Sequence, residues 1–354
     1  MSTPTFVVGT GRCGSTMLSN MLREHPQILS LSEFFAMLVD GGLRVAETFS
    51  SQPVSGAEFW DVIAHRGRFT NFAIRQQLPC PEWLYPHGDP GARFSAETGV
   101  PALLVTSLPH LTDKFDELYA ILAEEVIAWP TAAMRVQYET LFNWLARHFE
   151  KSLWIERSGA GMAMLEPLLT MFPNGRFVHI VRDGRDAALS IREHALLRLS
   201  FFAAALEQQI GAKLPQSNTS SAIAQVQAEL APFEPGQFDR DAFNAYRLPI
   251  EVCAGFWTQQ IADGMPLLNQ LPADRLLTLR YEDLLVNAQA QLETLATFLG
   301  DGFADDDWSA RCAATVRAPR STWRDLPDDE SSILTKACRP GFEALAAAGV
   351  EYAI

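Results

Sequence analysis

What the chain lacks narrows it first. No apolar run approaches the roughly 20 residues needed to cross a bilayer, so no membrane span is expected. The start carries no basic region leading into an apolar core of the signal-peptide kind, because Phe6 to Val8 run straight into glycines. A cytoplasmic location is therefore the expectation. Basic excess is missing too: 28 Lys and Arg stand against 42 Asp and Glu, a formal net charge of −14, which argues against a nucleic-acid-binding surface. The five cysteines (Cys13, Cys80, Cys253, Cys312, Cys338) are odd in number and scattered without a C-x-x-C pair, so neither a disulfide framework nor a metal site is suggested. There are no tandem repeats. The 48% hydrophobic content over 354 residues is enough for one large α/β domain with an appended lobe, and any anionic ligand must be met by locally concentrated positive charge.

What is present is concentrated at the start. From Thr5 to Leu22 the chain reads T-F-V-V-G-T-G-R-C-G-S-T-M-L-S-N-M-L. Phe6, Val7 and Val8 read as a short buried strand, and Met17, Leu18, Met21 and Leu22 recur at helical spacing. Between them lie Gly9, Gly11, Gly14, Ser15 and Thr16. A strand, a glycine loop and a helix in that order aim backbone N–H groups and a positive helix end at one point, where an anion with several oxygens can sit. Cys13 lies inside this loop, as a reactive thiol or as a small residue that fits a tight turn.

Along the rest of the chain strands alternate with helices. Helix one ends at His25-Pro26, Gln27 to Leu31 looks extended, and Ser32 is an expected N-cap before Phe34 and Phe35. Glu33 reads either as a first-turn carboxylate or as a residue returned to the sheet edge beside the loop. Residues 50–109 show weak periodicity and many prolines and glycines, as in the irregular loops of a substrate entrance. Two amphipathic helices, Leu111 to Trp129 and Arg135 to Phe149, precede strands at Lys151 to Glu156 and Arg176 to Val181, with a helix from Gly161 to Phe172 between them. A further helix runs to His194, and after it come a helix over Glu251 to Leu271, a strand over Leu276 to Arg280, and helices over Gln289 to Leu299 and Arg339 to Ala348. The pattern predicts α/β architecture, a P-loop-type parallel sheet flanked by helices. We read 1–354 as one domain, with 197–250 inserted as a helical cap or lid. Ligands of such sheets bind beyond the strand ends, where Gly9 to Thr16, Glu156 to Ser158 and Arg182 to Asp186 all fall.

A nucleoside-triphosphate loop of the form G-x-x-x-x-G-K-[ST] carries a lysine that reaches the β/γ-phosphates. Here Gly9 and Gly14 keep the spacing, but the lysine position is Ser15 and the cation lies earlier, at Arg12. That shift disfavours kinase or ATPase chemistry and suits a less charged terminal group that needs no magnesium. A second junction supplies another anion site: Arg182 at a strand end and Ser190 two turns into the next helix can approach one phosphate together.

With both junctions in view, Arg12-Cys-Gly-Ser-Thr16 resembles the 5′-phosphosulfate loop of sulfotransferases. Phe177 to Ser190 is similar to their 3′-phosphate segment, and the likeness extends through Arg280-Tyr-Glu-Asp-Leu284. The resemblance implies transfer of a sulfuryl group from 3′-phosphoadenosine 5′-phosphosulfate (PAPS) to an alcohol, phenol or amine, with adenosine 3′,5′-bisphosphate as product. It implies Gly11, Arg12, Cys13, Gly14, Ser15 and Thr16 around the 5′-phosphosulfate, Arg182 and Ser190 on the 3′-phosphate, and Tyr281 on the nucleotide. Around Glu33 the chain is similar to the tyrosylprotein branch, which makes Glu33 the expected base and Arg12 the group that stabilises the leaving charge; His110 and His194 are the next candidates for the base. The C-terminal R-K-G-x-x-G motif of cytosolic members is missing, so Arg317, Arg320 and Arg324 are candidates to complete the 3′-phosphate site, and Trp323 to stack on adenine. The expected partner is a small or extended acceptor. A small-molecule kinase and a nucleotide-binding domain without catalysis are the competing readings.

Overall fold

The computed structural model describes residues 3–202, 238–317 and 322–353. Most of the expected cap over 197–250, and Arg320, lie outside the described residues. Five strands form one sheet: β1 (Thr5–Val8), β2 (Ile28–Ser32), β3 (Leu153–Arg157), β4 (Arg176–Val181) and β5 (Leu276–Arg280), in the order β2-β3-β1-β4-β5. All four pairings are parallel. The stretch read as merely extended is thus the edge strand β2, and its register pairs Ser32 with Arg157. Ser32 therefore ends a strand and does not cap the helix that follows, which corrects the expected N-cap.

Both faces of the sheet are buried, which explains why its strands read as continuous apolar runs. Phe6, Leu29, Leu31, Trp154, Phe177 and Val181 face one core, and Val7, Ile28, Ile155, Val178 and Ile180 face the other. Helices α1 (Ser15–Arg23), α2 (Phe34–Val39), α3 (Gly184–Glu193), α4 (Ile250–Leu268), α5 (Ala288–Leu299), α6 (Asp306–Thr315) and α7 (Asp328–Ala347) cover the two faces. Leu18, Met21 and Leu22 of α1 share the second core with Leu292, Leu295, Trp308 and Cys312, while α2, α4 and α7 lie on the first. The last helix begins 11 residues before the expected start at Arg339, because Pro340 sits inside it and not at its head. The region 50–109 is partly helical, with segments at Gly56–Ile63, Arg68–Arg75, Ala102–Val105 and Ser107–Leu111.

Trp257 is the keystone of the first core. It is fully buried, and a methyl group added at Gly184 or at Gly341 would meet its ring at 2.4 Å. The indole of α4 thus fills a slot between the first residue of α3 and the middle of α7, which fixes the helix that carries Ser190. Trp257→Ala is expected to cost about 3–5 kcal/mol, and Gly184→Ala about 1–3 kcal/mol by overpacking, in urea unfolding. Unchanged midpoints would mean that the slot is not close-packed in solution.

Candidate active site

Because the sheet is parallel, the C-terminal ends of all five strands open on one edge, and each delivers residues to a single cleft. The cleft has a volume of about 300 Å³, and its walls include Gly11, Arg12, Gly14, Ser15 and Thr16 after β1 and Glu33 after β2. Gly159 and Ala160 come from beyond β3, Arg182 from beyond β4, and Tyr281 from beyond β5. It straddles β1, where the strand order reverses direction, as binding sites in such sheets do.

The loop itself is shaped by its glycines. Gly14 has φ +88°, and a Cβ there would lie 2.2 Å from the Tyr281 ring, so the backbone passes directly against that tyrosine. Arg12 adopts φ 55°, a left-handed conformation unusual outside glycine. Its guanidinium donates from Nε to Ser190 Oγ at 3.0 Å and from Nη1 to Glu82 Oε1 at 2.6 Å. Arg182 donates to the Arg12 carbonyl at 3.2 Å and lies 4.9 Å from the Tyr281 ring centroid. Arg12, Arg182, Ser190 and Tyr281, expected from separate parts of the chain, are thus brought together. Of the two readings of Cys13, the small residue that fits a tight turn is the one its surroundings support: its side chain is buried in the second core, and that burial raises its thiol pKa.

Glu33 lies in the cleft wall, 7% exposed, at φ 55°. Its own N–H donates to the Arg157 carbonyl at 2.6 Å. Arg157 forms a buried ion pair with its Oε1, and the Gly159 N–H donates to its Oε2 at 3.0 Å. Arg157 also donates to Ser32 Oγ at 2.7 Å. Neither Arg157 nor Glu82 was assigned a role from sequence. The first stands in the Glu156-Arg157-Ser158 run at a strand end, which is a usable signal; the second sits in a proline-flanked loop with none. Glu82 Oε2 accepts from His194 Nε2 at 3.2 Å and from Cys80 Sγ at 3.3 Å. Burial would raise the Glu82 carboxyl, but the His194 hydrogen bond and charge, with Arg12 beside it, outweigh burial and hold it well below the usual carboxylate range.

His194 therefore lies in the cleft, whereas His110 does not line it: burial, with Arg23 and Arg157 adding positive charge, lowers that imidazole to about 3. Trp323 and Arg324 are not brought to the cleft. The Trp323 ring centroid lies 3.8 Å from the buried Arg185 guanidinium and 4.7 Å from that of Arg324, and the Trp323 backbone N–H donates to Asp186 Oδ1 at 2.8 Å. The tryptophan satisfies a buried cation instead of offering a face to a base. Arg317 is exposed and bonds the carbonyls of Ala314 and Val316.

Behind Glu33 lies a second buried carboxyl. Glu156 Oε1 accepts from the Phe35 N–H at 3.2 Å and from Ser158 Oγ at 2.7 Å, and Ser158 Oγ accepts from the Ala36 N–H at 3.0 Å. These bonds satisfy the first turn of α2 and so fix the residue before it. Burial chiefly, with Glu33 adding repulsion, raises Glu156 to about 8. A raised acid binds more protons folded than unfolded between about 4.5 and 8, so it lowers stability as pH rises through that window. Glu156→Gln should flatten the stability–pH curve there, removing a slope of up to roughly 1.4 kcal/mol per pH unit. Parallel wild-type and variant curves in chemical denaturation would exclude this assignment.

Comparison with known proteins places this cleft in context. Residues 4–78, which hold the loop, α1, β2 and Glu33, match the model of the sulfotransferase family. No curated protein matches the chain. Among solved structures, the sulfotransferase domain of the Synechococcus PCC 7002 olefin synthase is 15% identical, covering 100% of this chain and 97% of its own, with a TM-score of 0.46. A sulfotransferase from Mycobacterium avium is 14% identical, covering 98% of this chain and 76% of its own, with a TM-score of 0.44. For one from Alicyclobacillus acidocaldarius the values are 14%, 100%, 98% and 0.39.

Proposed function

We propose, from the sulfotransferase family match over the segment that builds the anion loop, that this chain is an enzyme that moves a sulfuryl group from PAPS to a hydroxyl or amine. The observation that carries the reading is that the matched loop and the separate Arg182–Ser190 junction meet in one cleft, across which Arg12 bonds Ser190. A donor that carries its 5′-phosphosulfate and its 3′-phosphate on one ribose needs two neighbouring anion sites, and the two junctions, side by side in the cleft, suit that need.

The residues present suit the phosphates. Gly11 in the cleft wall, the N–H groups of the loop and the hydroxyls of Ser15 and Thr16 suit the 5′ end. Arg182 and Ser190 suit the 3′-phosphate, arginine's fork matching its oxygens. Tyr281 offers a ring face. In the reaction, the acceptor's oxygen or nitrogen forms a bond to sulfur while the bond from sulfur to the bridging oxygen breaks. The electron pair stays on that oxygen, whose charge Arg12 and the loop N–H groups stabilise. Glu33 takes the acceptor's proton: Arg157 and Gly159 each occupy one of its oxygens, and a carboxylate with about four acceptor positions keeps one free on each. Positioning and electrostatics supply the remainder, as in phosphoryl transfer. The kinase reading is not favoured, because the position of the phosphate-reaching lysine is the buried Ser15.

Thermal unfolding with PAPS, adenosine 3′,5′-bisphosphate and ATP–magnesium tests the reading, since ligands stabilise by mass action. The first two should raise the melting temperature at millimolar concentration and the third should not; the reverse would favour a kinase. Glu33→Gln should lose turnover by roughly 100-fold or more while binding the bisphosphate product within a few-fold of wild type. Near-normal turnover would remove Glu33 as the base and pass the role to His194.

A further inference from the structure

We propose that Cys80, Glu82 and His194 form a site for one thiophilic divalent cation of the zinc class, with a fourth position open to the cleft. The ligands come from sequence positions with no metal-binding spacing, and only the fold joins them. Among the described residues these are the three whose ligand atoms converge: Sγ, a carboxylate oxygen and Nε2 all lie within 4.8 Å of one another. Two of the three separations, 3.3 Å from Cys80 Sγ to Glu82 Oε2 and 3.2 Å from His194 Nε2 to the same oxygen, are close to the edges of a zinc tetrahedron. With bonds of about 2.0–2.3 Å such edges are roughly 3.3–3.7 Å. The Sγ–Nε2 separation is the one that a side-chain rotation must adjust.

The support is rigid on both sides. Pro79 and Pro81 flank Cys80, the Trp83 N–H donates to the Cys80 carbonyl at 3.1 Å, and Thr106 Oγ1 donates to the Glu82 carbonyl at 2.8 Å. His194 is the C-cap of α3, whose start is fixed against Trp257.

The donor set is sulfur, nitrogen and oxygen, which selects zinc over magnesium or calcium. Charge also balances. Two protons now converge on Glu82 Oε2; a cation replaces both. The Cys80 proton leaves to solvent, the imidazole proton moves from Nε2 to Nδ1, and the thiolate and carboxylate neutralise the dication. The imidazole shift gives up the weak bond from the Leu197 N–H to Nδ1, at 3.4 Å. Glu82 keeps Arg12 on its other oxygen, so the metal and the loop cation share one carboxylate. Cys80, Glu82 and His194 all line the cleft, so the fourth coordination position faces it. The site stands on this geometry alone and not on the group transfer proposed above.

Cobalt(II) is the probe, titrated into the purified full-length protein. The expected result is one equivalent bound, with a thiolate-to-cobalt charge-transfer band and intense visible bands of a four-coordinate ion, both erased by added zinc. Cys13, Cys253, Cys312 and Cys338 are buried in the core, so the band reports on Cys80. Cys80→Ser should abolish it, and His194→Gln should weaken binding at least tenfold, each with an unchanged far-ultraviolet dichroism spectrum. A folded wild type without the band, or a band that survives Cys80→Ser, overturns the proposal. If a variant loses its fold, Glu82→Gln takes its place with the same expected loss. A melting-temperature shift with adenosine 3′,5′-bisphosphate, read on the same sample, separates the two readings: cobalt binding without nucleotide binding leaves the metal site standing and removes the sulfotransferase.

Discussion

The buried pair of Arg157 and Glu33 is the constraint on which the cleft depends. Arg157 is 1% exposed, and a buried guanidinium demands partners. They are available only because β2 and β3 are parallel with Ser32 opposite Arg157, which puts Ser32 Oγ and the next residue's carboxylate within reach of one guanidinium. Removing either member would strand a buried charge, a loss of about 3–5 kcal/mol. The same pair explains the backbone of Glu33. A left-handed φ costs a non-glycine residue roughly 1–2 kcal/mol, and here the N–H bond to the Arg157 carbonyl, the ion pair and the Gly159 N–H offset that cost together. Glu33 is the N-cap of α2 by position, its carbonyl accepting from the Met37 N–H at 3.0 Å, but its side chain makes no cap bond. The carboxylate is held at the sheet edge, and α2 begins where it does because Glu156 and Ser158 accept its first N–H groups.

Arg12 plays the corresponding part on the other side of β1. Its side chain joins Ser190 and Glu82, and its carbonyl receives Arg182. The glycine loop and the β4–α3 junction are consequently one electrostatic unit. In a chain of net charge −14 the positive charge is thus concentrated locally: Arg12 and Arg182 stand at the cleft and Arg157 just behind it, against the carboxylates of Glu33 and Glu82. Glu82 matters in that balance. It holds one nitrogen of the Arg12 guanidinium in an ion pair, so any anion entering the cleft competes with Glu82 for that charge.

The parts legible in sequence are those whose physics is local or periodic. The β1–loop–α1 unit could be read because a strand, three glycines and a helix follow one another within 18 residues, and β3, β4 and β5 because both faces of each are covered, leaving nearly unbroken apolar runs. The edge strand β2 was harder, since Ser30 and Ser32 interrupt its pattern; Ser30 bonds Ser19 of α1 and Ser32 bonds Arg157, so both hydroxyls are satisfied inside. A serine followed by a glutamate before an apolar run is also the local signature of a helix start, and tertiary register overrode it. Trp323 beside arginines suggested a stacking platform, and the arginine it stacks on is the chain's own Arg185. Glu82 lay beyond sequence reasoning altogether. Its charged partner Arg12 and its ring partner His194 are 70 and 112 residues away, and nothing in the Pro79-to-Trp83 run points to either.

This division follows the two halves of the cleft. One half is made by strand ends and the backbone turns just after them, positions that the hydrophobic pattern of the sheet fixes. The opposite wall is made by Met37, by Cys80 and Glu82 from a loop, and by Leu196 and Leu197 beyond the end of α3. Such segments are anchored by single contacts, as Thr106 anchors Glu82, and not by a repeating pattern. They can change without disturbing the sheet, which is where specificity can vary while the chemistry stays constant. The opposite wall is therefore drawn from the part of the chain whose sequence has the least periodicity, and the glycine loop across the cleft carries no information about it.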